Sequence, residues 1–249
     1  MDTFITVPLC DQHDDQIAAI SEMYVYLPKA AIHPAKAVVI CGGGGFNQVN
    51  TDHEGRQFAQ WLAKIGIAGI VLNYRLPQKH MYLSEIDLRQ SIKIIRSKAS
   101  EWNIDRRNIG AAGFSIGGHI VATLATRIEE ASKLDFSLLF YPVISMSDNL
   151  THKPSREKLL DISCSKEEID YYSVEKHVSS TTPRCLIMCN DDDTAVSPLN
   201  SILYYEQLKL NNIPSALYIF PLGGHGWGMK KEFVFHKEML VLVEKWLIG

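Results

Sequence analysis

The residues best suited to chemistry lie in the segment Gly113-Phe114-Ser115-Ile116-Gly117. The segment follows a strand-like run and precedes a helix-like apolar pattern, a setting in which Gly-x-Ser-x-Gly forms a sharp strand-to-helix turn. Glycines on both sides of the serine remove the Cβ atoms that so tight a turn cannot hold. Such a turn exposes Ser115 as a candidate nucleophile at the start of a helix. The same pattern also occurs in turns without chemistry, so the case depends on partner residues elsewhere.

A serine nucleophile needs a base, and the usual base is a histidine oriented by a carboxylate. The chain provides both in the order acid then histidine, each after a strand-like run: Asp191 to Asp193, and later His225 between glycines. Spacing alone does not separate Asp192 from Asp193. Three aspartates could also form a solvated turn or a hard-cation site. We expect no metal, because further carboxylates and zinc-type histidine spacings are missing.

A glycine run after an early strand, Gly42 to Gly45, is the candidate oxyanion loop. We predict that the amides of Gly43 and Gly44, together with that of Ile116 at the helix N-terminus, hold the developing oxyanion. The run could instead be an ordinary loop. A dinucleotide site does not fit, because Asn47 and Gln48 stand where a third glycine is required, and no cofactor is expected.

Four residues near these loops are predicted to line a substrate pocket. They are Phe46, His53, Glu54 and Trp227. His53 and Glu54 could instead cap a helix, and Trp227 could be a sugar platform or a packed ring. His119, one helical turn after the serine, is more consistent with a packed helix residue than with a second base.

Strand-like and helix-like patterns alternate along the chain, which predicts a mostly parallel sheet with helices on both faces. We treat residues 1–249 as one α/β domain. The polar segment at about 145–180 breaks the alternation, and we predict that it is a lid-like insertion with short helices near 156–161 and 166–172. Strands are predicted at 24–27, 37–41, 67–74, 108–114, 136–141, 184–190 and 216–220, and helices at 58–65, 116–128 and 235–246.

Composition limits the class of partner. The 249 residues are 46% hydrophobic and 21% charged, with a formal net charge of −3, so nucleic acid and anionic membranes are not expected partners. Five cysteines, an odd number, suggest free thiols in a reducing compartment, and we expect a cytoplasmic protein. The start of the sequence lacks a signal-peptide pattern, and no apolar run reaches the length of a membrane span. A homodimer is one candidate oligomeric state.

Several blocks together resemble the esterase/lipase branch of the α/β-hydrolase superfamily, and the bacterial acetyl xylan esterase-like group in particular. The resemblance covers nearly the whole chain from about Val38 and implies a Ser115, Asp193 and His225 triad. Asp193 is favoured because it stands three residues before Val196, as in that group. The blocks are 41–46, 54–55, 73–77, 109–119, 191–201 and 223–228.

The resemblance also implies a substrate and marks one departure. The implied reaction is removal of acetyl groups from sugars such as xylo-oligosaccharides, through an acyl-enzyme. Members of the group commonly carry Pro-Gly-Gly-Gly-Tyr where this chain has Gly42 to Phe46. We therefore expect the oxyanion donors to be retained, in a more mobile loop without the tyrosine hydroxyl.

Two other functions remain open on the sequence. One is a peptidase, amidase or formamidase using the same triad. The other is a catalytically inactive binding protein on this fold, against which the intact candidate residues argue.

Overall fold

The computed structural model describes residues 4–9, 21–29, 33–78 and 82–249. Residues 1–3, at the start of the sequence where no signal-peptide pattern was found, lie outside this part of the chain. The described residues form one eight-stranded sheet in the order β1-β2-β4-β3-β5-β6-β7-β8. Strands β3 to β8 are parallel, whereas β2 is antiparallel to both β1 and β4.

The bounds of the elements are as follows. The strands are β1 (Ile5–Pro8), β2 (Glu22–Tyr26), β3 (Ala35–Cys41), β4 (Ala68–Asn73), β5 (Ile104–Phe114), β6 (Phe136–Phe140), β7 (Arg184–Asn190) and β8 (Ser215–Phe220). The α-helices are α1 (Gln57–Lys64), α2 (Leu83–Lys98), α3 (Ile116–Thr126), α4 (Lys153–Leu159), α5 (Lys166–Tyr172), α6 (Leu199–Leu210) and α7 (His236–Ile248). A π-helical turn (Asp52–Arg56) precedes α1, and 3-10 turns occupy Glu130–Ser132 and Val174–His177.

The sheet is covered on both faces, as predicted. Alternate side chains of each central strand enter different apolar clusters: in β3, Val39 belongs to the cluster with α2, α3 and α6, and Val38 to the cluster with α1 and α7. Central strands are therefore apolar on both sides, as parallel strands buried between helices require. The predicted α/β-hydrolase class of architecture is confirmed in this respect.

Most predicted elements lie within a few residues of the observed ones, and β7 matches exactly. The helix predicted at 116–128 extends too far, because α3 ends at Thr126 and Ile128 is 36% exposed. Strand β1 and helices α2 and α6 are additional. Helix α2 buries Leu88, Ile92 and Ile95 at helical spacing, so its periodicity could have been recognised in the sequence. Helix α6 leaves Leu199 exposed and buries polar residues, so its apolar stripe is less clear.

The insertion between β6 and β7 contains α4, α5 and the second 3-10 turn. Helix α5 occupies the predicted range, and α4 begins three residues earlier than expected. The end of α5 is held on α3, where His119 contacts the carbonyl oxygen of Tyr172 at 2.8 Å. The start of α4 lies against the glycine loop after β3, because a Cβ on Gly45 would lie 3.7 Å from His152.

The described part of the chain contains no helix long and apolar enough to cross a membrane. The loops that follow β3, β5, β6, β7 and β8, five strands adjacent in the sheet, meet at its carboxyl-terminal edge. This is the edge at which ligands bind in open α/β sheets.

The contact between β4 and α1 allows a test of the fold. A Cβ on Gly69 would lie 2.5 Å from the Cα of Ala59, so we expect Gly69→Ala to lower the free energy of unfolding by about 1–3 kcal/mol. Gly66→Asn is the control, because Gly66 has φ +86° and nothing within 4 Å, and asparagine tolerates that conformation. Denaturant midpoints measure both variants. Equal midpoints would show that α1 accommodates the added methyl group.

Candidate active site

The predicted nucleophile lies in a tight turn between β5 and α3. Ser115 has φ 53° and ψ −120°, a left-handed backbone that non-glycine residues seldom adopt. A Cβ on Gly113 would lie 2.3 Å from the carbonyl oxygen of Gly117, and one on Gly117 would lie 2.1 Å from that of Cys41. Only glycine fits either position, which is the physical content of the Gly-x-Ser-x-Gly pattern.

The structure brings Ser115, His225 and Asp193 into one hydrogen-bonded chain. His225 Nε2 lies 2.8 Å from Ser115 Oγ, and His225 Nδ1 lies 2.6 Å from Asp193 Oδ2. The Asp193 side chain is fully buried, while 23% of the His225 side chain is exposed. With Nδ1–H donated to the carboxylate, Nε2 is free to accept the serine proton.

The adjacent residues Asp192 and Asp193 have different hydrogen-bond partners. Asp193 Oδ1 also accepts the amides of Ala195 and Val196, at 3.0 and 2.9 Å, so the carboxylate is fixed in orientation. Asp192 instead accepts the amides of Gly223 and Gly224, and these bonds hold its pKa below the usual value. These contacts distinguish the two aspartates that spacing could not separate. Asp193 contacts the His225 imidazole, and Asp192 holds the loop that carries His225.

The glycine loop after β3 is fixed by its own hydrogen bonds. The carbonyl oxygen of Gly43 accepts the amide of Asn50 at 2.9 Å, and that of Gly44 accepts the amide of Asn47 at 3.0 Å. The Gly43 amide donates to Glu54 Oε2 at 2.8 Å. This bond corrects the expectation for Gly43, because an amide committed to a buried carboxylate is not available to an oxyanion.

Two of the predicted oxyanion donors remain. The hydrogen bonds within the described residues include none donated by the Gly44 amide. Ile116 is the first residue of α3, where amides lack intrahelical partners and the helix dipole favours negative charge. A Cβ on Gly43 would lie 3.0 Å from Ser115 Cβ, so the glycine loop and Ser115 are in contact.

Three of the four predicted pocket residues are packed inside the protein. Phe46 is 2% exposed and packs edge-on against Tyr82, and Trp227 is 3% exposed and stacks on Phe233 with ring centroids 4.4 Å apart. Neither ring is an open platform for a sugar, which corrects both expectations.

Glu54, the third of these predicted pocket residues, is buried as well. Glu54 is 1% exposed and its oxygens bind protein groups, so it does not line an open pocket. His53 retains 24% exposure of its side chain.

Two residues at the site escaped the sequence analysis. Tyr141 follows β6 with φ 39°, and its ring contacts the His225 ring with centroids 4.8 Å apart. His152 comes from the insertion, where its Nδ1 lies 2.7 Å from Ser155 Oγ. Tyr141 could have been inferred from its position at the end of the central strand predicted at 136–141. His152 could not, because the path of the insertion carries no periodic signal.

His119 is a packed helix residue, as expected. It is fully buried, with Nδ1 2.6 Å from the Tyr82 hydroxyl and Nε2 facing the insertion. Burial lowers the pKa of His119 to about 4, so the ring is neutral at ordinary pH. It connects the strand-to-helix turn with the insertion and has no access to Ser115 Oγ.

A parallel sheet covered by helices on both faces, with a serine in a sharp turn after a central strand, defines the α/β-hydrolase fold. The BD-FAE family profile matches residues 23–208. The chain belongs to the BD-FAE family, in agreement with the resemblance found in the sequence.

Comparison with individual relatives supports this family assignment. The chain is 36% identical over 232 residues to an acetylxylan esterase of Xylanibacter ruminicola and 31% identical over 233 residues to endo-1,4-beta-xylanase B of Butyrivibrio fibrisolvens. The matches cover 91% and 87% of this chain, but only 48% and 36% of those proteins. The crystal structure of an acetyl ester-xyloside bifunctional hydrolase from Caldicellulosiruptor lactoaceticus has a TM-score of 0.89 at 30% identity, covering 98% of this chain and 95% of that one.

The three aspartates provide a matched set of variants. We expect Asp193→Asn to lower kcat by about 10⁴-fold, because an amide cannot hold His225 in the required tautomer. Asp191→Asn should have no measurable effect, since its side chain is exposed and its backbone amide makes the contact to β8. Steady-state hydrolysis of an activated acetyl ester measures both. A larger loss in the Asp191 variant would contradict the assignment.

Proposed function

We propose that this chain is a serine carboxylic-ester hydrolase that removes acetyl groups from acetylated sugars such as xylo-oligosaccharides. The observation that carries the proposal is the hydrogen-bonded chain from Ser115 Oγ through His225 to buried Asp193, at the N-terminus of α3. This is the arrangement that activates a serine hydroxyl for attack on a carbonyl carbon.

The proposed reaction has two halves. Ser115 Oγ attacks the ester carbonyl carbon while His225 Nε2 takes the serine proton, and the amides of Ile116 and Gly44 stabilise the negative oxygen. His225 then gives that proton to the leaving alcohol as the C–O bond breaks, which leaves an acyl-serine. Water attacks the acyl-serine by the same route, releases the acid and restores the hydroxyl.

The proposed substrate class rests on the relatives. A 36% identical relative is an acetylxylan esterase, and a 30% identical structure is that of an acetyl ester-xyloside bifunctional hydrolase. This chain spans about half the length of the first. The sugar preference is therefore proposed for this chain on the strength of the shared hydrolase unit, with the insertion as the part that contacts the sugar.

Substrate competition tests the proposal. We expect acetylated xylo-oligosaccharides and other acetyl esters to be hydrolysed with higher kcat/KM than feruloyl esters or aminoacyl amides, and Ser115→Ala to lose at least about 10⁴-fold in kcat. A fluorophosphonate should add its mass to the wild-type chain and not to the variant. Faster turnover of amides would favour the peptidase or amidase alternative. An unlabelled wild-type chain without turnover would favour the binding-protein alternative.

His152 is expected to contact the sugar. It lies against the oxyanion loop at Gly45, and Ser155 occupies its Nδ1, which leaves Nε2 for a substrate hydroxyl. Burial, and then the nearby His225, lower the pKa of His152, so the ring is neutral near pH 7. Loss of one hydrogen bond worth about 1.4 kcal/mol corresponds to about tenfold in affinity.

We therefore expect His152→Ala to raise KM for acetylated xylo-oligosaccharides about tenfold while changing KM for p-nitrophenyl acetate less than about twofold. His177→Ala is the control, because His177 lies in the same insertion but contacts Asp170 and Tyr171. Equal changes for both substrates would exclude a sugar contact.

A further inference from the structure

Glu54 is a buried carboxylate surrounded by hydrogen-bond donors. It follows the glycine loop in the π-helical turn before α1 and is 1% exposed. Its Oε2 accepts the Gly43 amide at 2.8 Å and the Asn50 side-chain amide at 3.2 Å, and its Oε1 accepts the Tyr141 hydroxyl at 2.7 Å. A carboxylate in the interior is costly unless its oxygens are satisfied, and here three donors satisfy them.

The network extends to the loop that carries the imidazole. The Tyr141 hydroxyl oxygen accepts the Gly228 amide at 2.9 Å, three residues after His225. Burial, followed by the charge of Glu54, raises the pKa of Tyr141 well above its usual value, so the phenol keeps its proton. The direction of each bond is thus fixed: Gly228 donates to Tyr141, and Tyr141 donates to Glu54.

The contact with Gly43 determines the direction of the next amide. In a trans peptide the C=O and the N–H point in opposite directions, so the bond from Asn50 to the Gly43 carbonyl also orients the Gly44 N–H. Asn50 is itself bound to Glu54 through its side chain. Glu54 therefore holds both sides of the turn that presents Gly44.

We propose that Glu54 is a positioning residue for ester hydrolysis, which holds the oxyanion loop through Gly43 and the histidine loop through Tyr141 in one geometry. It contacts neither the substrate nor the reacting atoms. The proposal rests on the proposed function, since the quantity it affects is the rate of the acyl-transfer step. Its effect should appear in kcat, because the oxyanion is bound only in the transition state.

The test compares Glu54→Gln with Tyr141→Phe. In Glu54→Gln the side-chain NH₂ group must face one of the hydrogen-bond donors that now surround the carboxylate. We expect the glycine loop to shift as a result, and a displacement of about 1 Å costs about 10²-fold in rate. We expect kcat to fall about 10²-fold and KM to change less than about threefold. Tyr141→Phe keeps the ring, removes only the hydroxyl, and should lower kcat about tenfold.

Three measurements separate positioning from a general loss of structure. The final extent of fluorophosphonate labelling gives the concentration of competent sites, and kcat is expressed per site. The affinity for an alkyl boronate that forms a tetrahedral adduct on serine should fall in parallel with kcat. The double variant should be less than about twofold slower than Glu54→Gln, because both residues act through one network.

Asp87→Asn is the matched control. Asp87 is also 1% exposed and lies 2.6 Å from the Arg75 guanidinium, and the hydrogen bonds described for its carboxylate go to Arg75 rather than to the glycine loop. We expect a lower melting temperature with kcat per site within about twofold of wild type. An equal loss of kcat in this variant would overturn the proposal.

Several further results would count against a positioning role for Glu54. Unchanged kcat per site in Glu54→Gln, a change in KM alone, or additive losses in the double variant would overturn the proposal. Should Glu54→Gln not fold, Tyr141→Phe decides, and full activity there would overturn it. Retained hydrolysis in Ser115→Ala would instead refute the proposed function, so the two failures are distinguishable.

Discussion

The left-handed backbone at Ser115 is the constraint on which the site depends. Such a conformation costs about 1–3 kcal/mol and persists only where the surroundings fix it. Here the Ser115 amide donates to the Phe140 carbonyl oxygen, and the Ser115 carbonyl oxygen accepts the amide of Val143, at 2.9 and 3.1 Å. Two hydrogen bonds at about 1 kcal/mol each contribute about 2 kcal/mol, which is comparable to that cost. The strain is therefore balanced by β6, the strand next to β5, and the position of Ser115 depends on the pairing of the central sheet.

The same turn brings α3 against the end of β3. Because Gly117 lies so close to the Cys41 carbonyl oxygen, the N-terminus of α3 and the glycine loop share one small space beside Ser115. Backbone groups thus surround Ser115, and side chains in turn hold those backbone groups. Tyr74 donates to the Gly42 carbonyl oxygen at 2.7 Å, and Glu54 accepts the Gly43 amide. A loop of consecutive glycines, which the sequence suggested would be mobile, is held by buried hydrogen bonds on both sides.

Sequence patterns predicted the features of this protein that depend on local backbone geometry and on chain order. The sharp turn at Ser115 and the acid-then-histidine order follow from backbone sterics and chain direction, so the sequence predicted which side chains meet. The individual amide at Gly43 and the burial of Trp227 depend on contacts between residues far apart in sequence, with Glu54 and with Phe233. Glycine spacing cannot indicate which amide is already occupied, and an aromatic residue beside a histidine loop has no local feature that distinguishes packing from binding. Helix α6 escaped prediction for a related reason, since its exposed Leu199 hides the apolar stripe that periodicity would detect.

The distribution of buried polar groups separates the candidate active site from the part that can vary. Asp193, Glu54 and Tyr141 have their hydrogen bonds satisfied within the strand-end loops, and a change at any of them leaves a buried partner unpaired. His152 belongs to the insertion and retains partial exposure. Exposed residues of the insertion, such as Lys153, can change without breaking a buried network, whereas Ser155 and Ser173 are fully buried and hydrogen-bonded. The hydrogen-bonded chain of Ser115, His225 and Asp193 is thus built into the sheet edge, and α3 supports the insertion beside it through His119.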